Sequence, residues 1–252
     1  MIIIKTPEEI EKMRKAGVIL AKTHLKLREE IKSGITTDEI DRIAEEFIRA
    51  NGATPEQKGY MGYPYATCTS VNDEICHGFP KKDVVLKDGD LVTVDMVVNL
   101  DGYLADSAWS YIIGEGSKET NELYETTKKC LYESIKEAVI GNRIGDIGRV
   151  IQNIAEEKGY SVVREFVGHG IGRNIHEDPQ VLHYATRIRG PRIMEGMVFT
   201  IEPMINVGDW KSKLDDNGWT ARTVDGSLSC QFEHTLAITK DGPVILTEQD
   251  SI

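Results

Sequence analysis

A helix-like segment occurs twice in this chain, and the repeat narrows the folds open to it more than any other feature. GITTDEIDRIAEEFIRANG (34–52) and GNRIGDIGRVIQNIAEEKG (141–159) align without a gap, with Gly34 on Gly141, Ile40 on Ile147, Arg42 on Arg149 and Gly52 on Gly159. Apolar residues recur at helical spacing in both copies: Ile40, Ile43, Ala44, Phe47 and Ile48 in the first, Ile147, Val150, Ile151, Ile154 and Ala155 in the second. Thr36-Thr37-Asp38-Glu39 has the form of a capping box. Amphipathic helices resemble one another by necessity, so the order of the surrounding elements carries more weight than the identities. Each copy follows another helix-like segment, 6–32 or 117–139, and precedes a β-rich region. The earlier of these begins at Thr6-Pro7-Glu8-Glu9, a cap followed by proline and acids in the first turn. Its predicted inner face is Ile10, Met13, Gly17, Leu20, Ala21, His24, Leu25 and Leu27. The pattern predicts an α+β fold of two similar halves, approximately 1–114 and 115–252, around a shared sheet. No linker rich in Pro, Ser or Gly divides them, so 1–252 is expected to form one domain.

Composition removes several function classes. The net charge of −11 argues against nucleic acid as the main partner, because phosphate binding needs a surplus of Lys and Arg. The four cysteines form no CxxC pair and no zinc-ribbon spacing, and read as reduced thiols of a cytoplasmic protein. The opening MIIIKTPEEIEKMRKAG has only a short apolar run before Lys5, unlike a secretory leader. No apolar stretch approaches the roughly 18 residues of a membrane span.

The chemistry concentrates first in LVTVDMVVNLDGYLADSAWSYIIG (91–114), which reads as a hairpin turning at Asp101-Gly102. With those two residues at the turn, Leu100 faces Tyr103 and Asp95 faces Ala108. Asp106 then shares a face with Asp95, one diagonal step away at roughly 7–8 Å. Two carboxylates so placed repel unless a proton or a cation lies between them. Each is otherwise simply exposed at a strand edge.

Three later segments weigh against that plainer reading. FVGHGIGRNIHEDP (166–179), VFTIEPMINVG (198–208) and SCQFEHTLAIT (229–239) each look like a strand or strand end with an acid or His at a polar position. Glu202 and Glu233 interrupt apolar runs, and a buried Glu is rare without a partner or a metal. His169 lies between Gly168 and Gly170, which permit close approach of backbone or ion. The glycine pattern is a poor phosphate loop, since no βαβ unit or Walker lysine accompanies it. Asp95, Asp106, His169, Glu202 and Glu233 together offer four carboxylates and one imidazole. That set suits two divalent cations about 3.5–4 Å apart, of Mn, Fe, Co or Zn.

The chain resembles the type I methionine aminopeptidases of the short bacterial form. The resemblance covers nearly all of it, through KTPEEIEKMRKAG, GYPY, SVNDEICHG, DGDLVTVD, SVVREFVGHGIGRNIHEDPQVLHY, MVFTIEPMIN and the WTARTVDGSLSCQFEHT stretch. It implies the pita-bread fold, two pseudo-twofold halves around a curved, mainly antiparallel sheet with helices outside. It implies Asp95, Asp106, His169, Glu202 and Glu233 as ligands of a dinuclear metal centre, with Asp106 and Glu233 bridging. Glu202 would also move the proton of the attacking water, and the second metal would bind the substrate's α-amine. His176 would stabilise the oxyanion, and His77 would hydrogen-bond near the scissile peptide nitrogen. Tyr60, Tyr63, Cys68, His77 and Trp219 would surround the methionine side chain. Gln57 departs from the small or sulfur-bearing residue expected there, and Ile175 from an expected aromatic. A monovalent cation is implied near the carbonyls of Asn72 and Glu74 and near Ser229. The partners implied are N-terminal Met peptides with a small second residue, and nascent chains near the ribosome; the state implied is a monomer.

Two other readings stay open. Proline-directed peptidases of the prolidase type share the five ligands, but usually carry an N-terminal domain for which a helix starting at Thr6 leaves no room. A binding protein on the same fold would typically have lost ligands, and all five stand here.

Overall fold

The computed structural model describes residues 1–250. Its first half runs through α1 (Pro7–Glu30), α2 (Thr37–Ala50), β1 (Thr54–Pro55), β2 (Cys68–Val71), β3 (Glu74–Cys76), β4 (Leu91–Leu100) and β5 (Tyr103–Ile112). The second half opens with α3 (Lys118–Ile135), α4 (Ile144–Glu157), β6 (Ser161–Val162), β7 (Gly168–Gly170), β8 (Glu177–Val181), β9 (Val198–Ile201) and β10 (Met204–Asn206). It closes with β11 (Ser212–Leu214), β12 (Ala221–Thr223), β13 (Ser229–Gln231), β14 (His234–Thr239) and β15 (Gly242–Ile245). Every strand pairing is antiparallel.

The repeat seen in the sequence is a structural one. Under the gapless alignment, α2 and α4 begin and end at equivalent residues. All five buried positions of α2, Thr37, Ile40, Asp41, Ala44 and Ile48, are matched in α4 by Ile144, Ile147, Gly148, Ile151 and Ala155, and α4 buries Asp146 besides. The residue before each helix forms an isolated antiparallel bridge, Thr36 with Val85 and Arg143 with Arg192. An acid three residues on closes each start, Glu39 onto the Thr36 amide at 2.8 Å and Asp146 onto the Arg143 amide at 2.9 Å. The short strands that follow, β1 and β6, are equivalent too, and pair with β4 and β10. Ile43, Phe47, Val150 and Ile154, expected inside, are only half-buried. They flank the face of a helix that lies on a sheet rather than inside a bundle.

The central hairpin has the register read from its turn. Asp95 pairs with Ala108 and Leu100 with Tyr103. Asp101 and Gly102 both adopt positive φ, 53° and 81°, as a two-residue turn of matching twist requires. Val92, Val94, Met96 and Val98 point into the main core, which takes residues from both halves, including Leu20, Ile40, Ile147 and Phe199. The opposite face of β4 carries Asp95 and Val97. There a smaller buried group joins Val97 and Leu104 to Met13, Ile171 and Ile175. β4 is thus sandwiched between a dry layer under the helices and the layer that bears the acids.

α1 ends at Glu30, slightly earlier than its apolar pattern suggests, and lies across β4 and β5. It comes close to the chain's last strands at Gly17, where a Cβ would overlap the Leu246 carbonyl oxygen. Gly17→Ala should therefore destabilise the protein by about 1–3 kcal/mol through overpacking, although alanine gains ~1 kcal/mol in a free helix. Urea unfolding measures the sign: a higher midpoint for the alanine variant would mean that α1 is not pressed against that carbonyl.

A buried carboxylate cluster as candidate metal centre

Each acid is delivered by a different piece of backbone. Asp95 sits mid-strand on β4 and Asp106 mid-strand on β5. Glu202 occupies the break between β9 and β10, and Glu233 the break between β13 and β14. Pro203, which has no amide to donate, follows Glu202 where the ladder is interrupted. His169 is the middle residue of β7. The atoms offered by Asp106, His169 and Glu233 all lie within 4.8 Å of one another. His169 Nε2 is 3.5 Å from Asp106 Oδ2 and 3.5 Å from Glu202 Oε1.

A frame of hydroxyls fixes these groups. Thr200 Oγ1 accepts from the His169 amide at 3.0 Å and donates to Glu202 Oε1 at 2.8 Å. Thr235 Oγ1 accepts from the Asp106 amide and donates to the Asp106 carbonyl. Ser107 Oγ donates to the Glu233 carbonyl at 2.9 Å, and the Glu233 amide donates to the Ala108 carbonyl at 2.8 Å. Gln231 Nε2 donates to Glu202 Oε2 at 3.3 Å. His169 Nδ1 faces the Gly170 carbonyl at 3.0 Å. A proton on Nδ1 satisfies that contact and leaves Nε2 directed at the acids.

The electrostatics call for a cation. No Lys or Arg lines the cavity into which all four carboxylates turn. Burial, followed by the charges of Asp106 and Glu202, pushes Asp95 well above the usual carboxylate range. Glu233 rises for the same reasons. Glu202 is pushed up to about 7 by burial, against the pull of His169. For His169, acceptance by Asp106 and the nearby acids outweigh burial and raise it to about 9. Asp95 Oδ1, Asp106 Oδ1 and Glu233 Oε1 are buried without any hydrogen-bond partner. Orphaned carboxylate oxygens at the focus of like charges are expensive unless positive charge joins them. The donor set, one imidazole and four carboxylates, fits hard to borderline divalent cations.

The cavity encloses about 230 Å³. All eleven residues singled out in the sequence line it: the five possible ligands together with Tyr60, Tyr63, Cys68, His77, His176 and Trp219. Tyr63 and Trp219 stack edge to face, with centroids 5.1 Å apart. His77, held at φ 56°, lies between Phe166 and Trp219. Burial, and then the charge of His176, lowers it to about 4, so it is neutral near pH 7. His176 stands at the mouth, its ring 4.4 Å from that of His169 and its Nδ1 2.9 Å from the Tyr60 hydroxyl. Burial and the His169 charge lower it too.

The two departures from the expected pocket have defined places. Gln57 Oε1 accepts from the Val97 amide at 2.7 Å, and its Nε2 lies 3.3 Å from both Cys68 Sγ and the Asp95 carbonyl. Its side chain thus extends the pairing of β1 with β4 beside Asp95. Ile175 packs into the small buried group under the mouth while also lining the cavity. Sequence reasoning missed Phe166, Met204 and Gln231 on the walls, and the supporting Thr200 and Thr235. The only signal for the threonines was a polar residue recurring inside otherwise apolar strands.

Comparison with known proteins gives a consistent result. Residues 11–240 match the model of metallopeptidase family M24. A methionine aminopeptidase of Clostridium perfringens is 49% identical over 98% of this chain and 99% of its own. The crystal structure of methionine aminopeptidase from Rickettsia prowazekii superposes with a TM-score of 0.96 at 41% identity, covering 98% of this chain and 100% of that one. A prolidase from Pyrococcus horikoshii is more distant, with a TM-score of 0.78 and 26% identity, and only 63% of it is covered.

Divalent cation added to chelator-stripped protein should raise the unfolding temperature. At a hundredfold excess over Kd the linkage is worth about 2.7 kcal/mol, or about 5–10 °C for a chain of this size. Glu233→Gln should lose most of that increment in differential scanning calorimetry. An unchanged melting temperature in the parent protein would show that the carboxylates take no cation.

Proposed function

The chain belongs to metallopeptidase family M24, among the methionine aminopeptidases of the short bacterial form, and from that premise we propose the part each of its residues plays. The activity is metal-dependent hydrolysis of the first peptide bond after an N-terminal methionine. The fold is the pita-bread fold, in which the repeated halves close around the carboxylate cluster.

The observation that carries the residue assignment is the convergence of two buried carboxylates, Asp106 and Glu233, two half-buried ones, Asp95 and Glu202, and His169 on one cavity that no Lys or Arg lines. Asp95, Asp106, His169, Glu202 and Glu233 would hold two divalent cations per chain, drawn from Co, Mn, Fe or Zn. When bound, such cations supply Lewis-acid polarisation of the carbonyl and acidify the attacking water. Glu202 takes the proton from that water and returns it to the leaving amine. Thr200 Oγ1 and Gln231 Nε2 hold its carboxylate at the cavity wall, half-buried, where it can accept and then release a proton.

His176 and His77 act as neutral imidazoles. With Tyr60 donating to His176 Nδ1, the Nε2–H is left to donate to the carbonyl oxygen as negative charge develops on it. His77, set between Phe166 and Trp219, would hydrogen-bond near the scissile nitrogen. Tyr60, Tyr63, Cys68 and Trp219 enclose the methionine side chain. At about 230 Å³ the cavity is below the range for drug-sized ligands and accepts one residue rather than a peptide. A small second residue is preferred, in keeping with a mouth where Tyr60 and His176 are in contact at 2.9 Å. The Ser229 hydroxyl, buried and without a partner beside the Asn72 carbonyl, supports a monovalent cation there. The enzyme works as a monomer in the cytoplasm on nascent chains near the ribosome, a setting in keeping with its four free, buried thiols.

Purified protein stripped with a chelator should cleave Met-Ala-Ser only after Mn, Co, Fe or Zn is restored, and should leave Xaa-Pro peptides intact. Cleavage of the proline peptide alone would move the assignment to the prolidase type. Glu202→Gln should fold normally and lose turnover by about 10²–10⁴-fold. Retention of the parent rate would remove Glu202 as the proton carrier.

A further inference from the structure

The loop that carries His176 is tied to the N-terminal segment by a buried ion pair. Lys5 Nζ lies 2.6 Å from Glu177 Oε2, and both side chains are only 5% exposed. The other oxygen of that carboxylate accepts from the amides of Arg173 at 3.2 Å and Asn174 at 3.3 Å. Glu177 therefore gathers the backbone on both sides of Ile175 and His176 onto one carboxylate, and Lys5 holds the carboxylate.

Lys5 is itself fixed. Its amide donates to the Gly196 carbonyl at 2.8 Å, and Thr6, the next residue, caps α1. Two glycines make room for it. A Cβ on Gly172 would come within 2.7 Å of Lys5 Cε and 2.9 Å of Glu177 Oε1. A Cβ on Gly196 would come within 2.8 Å of the Lys5 carbonyl oxygen. The loop is pinned from beneath as well. Ile171 and Ile175 pack against Met13 and Leu104, and the Leu104 amide donates to the Gly172 carbonyl at 2.9 Å. Leu104 is two residues from Asp106, so loop and carboxylate cluster share a base.

Apolar residues of similar volume would join the two segments as firmly as an ion pair does. They would not accept the amides of Arg173 and Asn174, which need an anionic or carbonyl oxygen. A lone carboxylate would do so but would be buried uncompensated. The pair answers both needs at the residue next to His176. We infer that Lys5 is a positioning residue, acting through Glu177 to hold His176 at the mouth of the cavity. The inference rests on the role proposed above for His176.

The test is a cycle of variants in the metal-loaded enzyme, with kcat and KM for Met-Ala-Ser measured beside thermal unfolding. Lys5→Met should lower kcat about 10- to 100-fold, the cost of misplacing a group by an ångström or so, with KM little changed. Lys5→Arg, which keeps a cation in reach, should recover most of kcat. Lys5→Met in a His176→Ala background should cost no further turnover. If Lys5→Met fails to fold, Glu177→Gln takes its place in the cycle. Parent-like kcat in Lys5→Met, or a loss that persists in full without His176, overturns the inference. Parent-like turnover in His176→Ala instead overturns the His176 assignment, and the positioning role falls with it.

Discussion

Mutual repulsion among buried carboxylates is the constraint to which the rest of this structure answers. Asp95, Asp106, Glu202 and Glu233 turn into one cavity, and three of them leave an oxygen there with no hydrogen-bond partner. A chain gains nothing from such an arrangement while folding: each buried charge is costly, and the costs reinforce one another. The fold must therefore hold the acids by other means. It does so through backbone and hydroxyl contacts on the atoms behind each side chain. Thr235 binds both backbone polar groups of Asp106, and Ser107 holds the carbonyl of Glu233. One oxygen each of Asp95, Asp106 and Glu233 is left free, and a divalent cation would convert their repulsion into binding energy.

The repeated halves supply the stiffness this needs. α2 and α4 bury equivalent positions, start from equivalent bridges and lead into equivalent short strands. Between them, long uninterrupted strands carry the two aspartates, whereas both glutamates stand in breaks between consecutive short strands. That division is physically sensible. An aspartate is short and must project from a regular strand face to reach the site. A glutamate can reach from a break, where the interrupted ladder turns its side chain inward. The resulting cluster lies on the layer of β4 that faces away from the main core, so the charged site does not disturb the apolar packing under the helices.

The rest of the cavity wall is built differently, from rings and loops. Tyr63, Trp219, Phe166 and His77 meet edge to face around the cavity, with Phe79 behind packed edge to face on Tyr63, a geometry in which the ring quadrupoles favour one another. The loop bearing His176 has little regular structure and depends on Tyr60, Glu177 and the small buried group beneath Ile175. Gln57 shows how a departure in sequence is absorbed. Its amide takes over a backbone-like contact with Val97, so it occupies the wall as part of the sheet edge rather than as a free polar group.

Local rules were enough for much of this. The Asp-Gly turn dictated the hairpin register, because only that pairing gives both turn residues their positive φ, and hence put Asp95 and Asp106 on one face. Periodicity and capping defined the helices, and the repeat predicted two similar halves. Buried glutamates inside apolar runs marked themselves as needing a partner. What stayed hidden depends on contacts between residues far apart in the chain. Thr200 and Thr235 look like ordinary strand residues until β7 and β5 are brought beside them. Lys5 and Glu177, 172 residues apart, carry no local sign that they are paired or buried. Sequence alone determined that Glu202 and Glu233 had to find partners, since each interrupts an apolar run. Only the tertiary structure decided which partners they found, because antiparallel pairing and packing between distant segments set those distances.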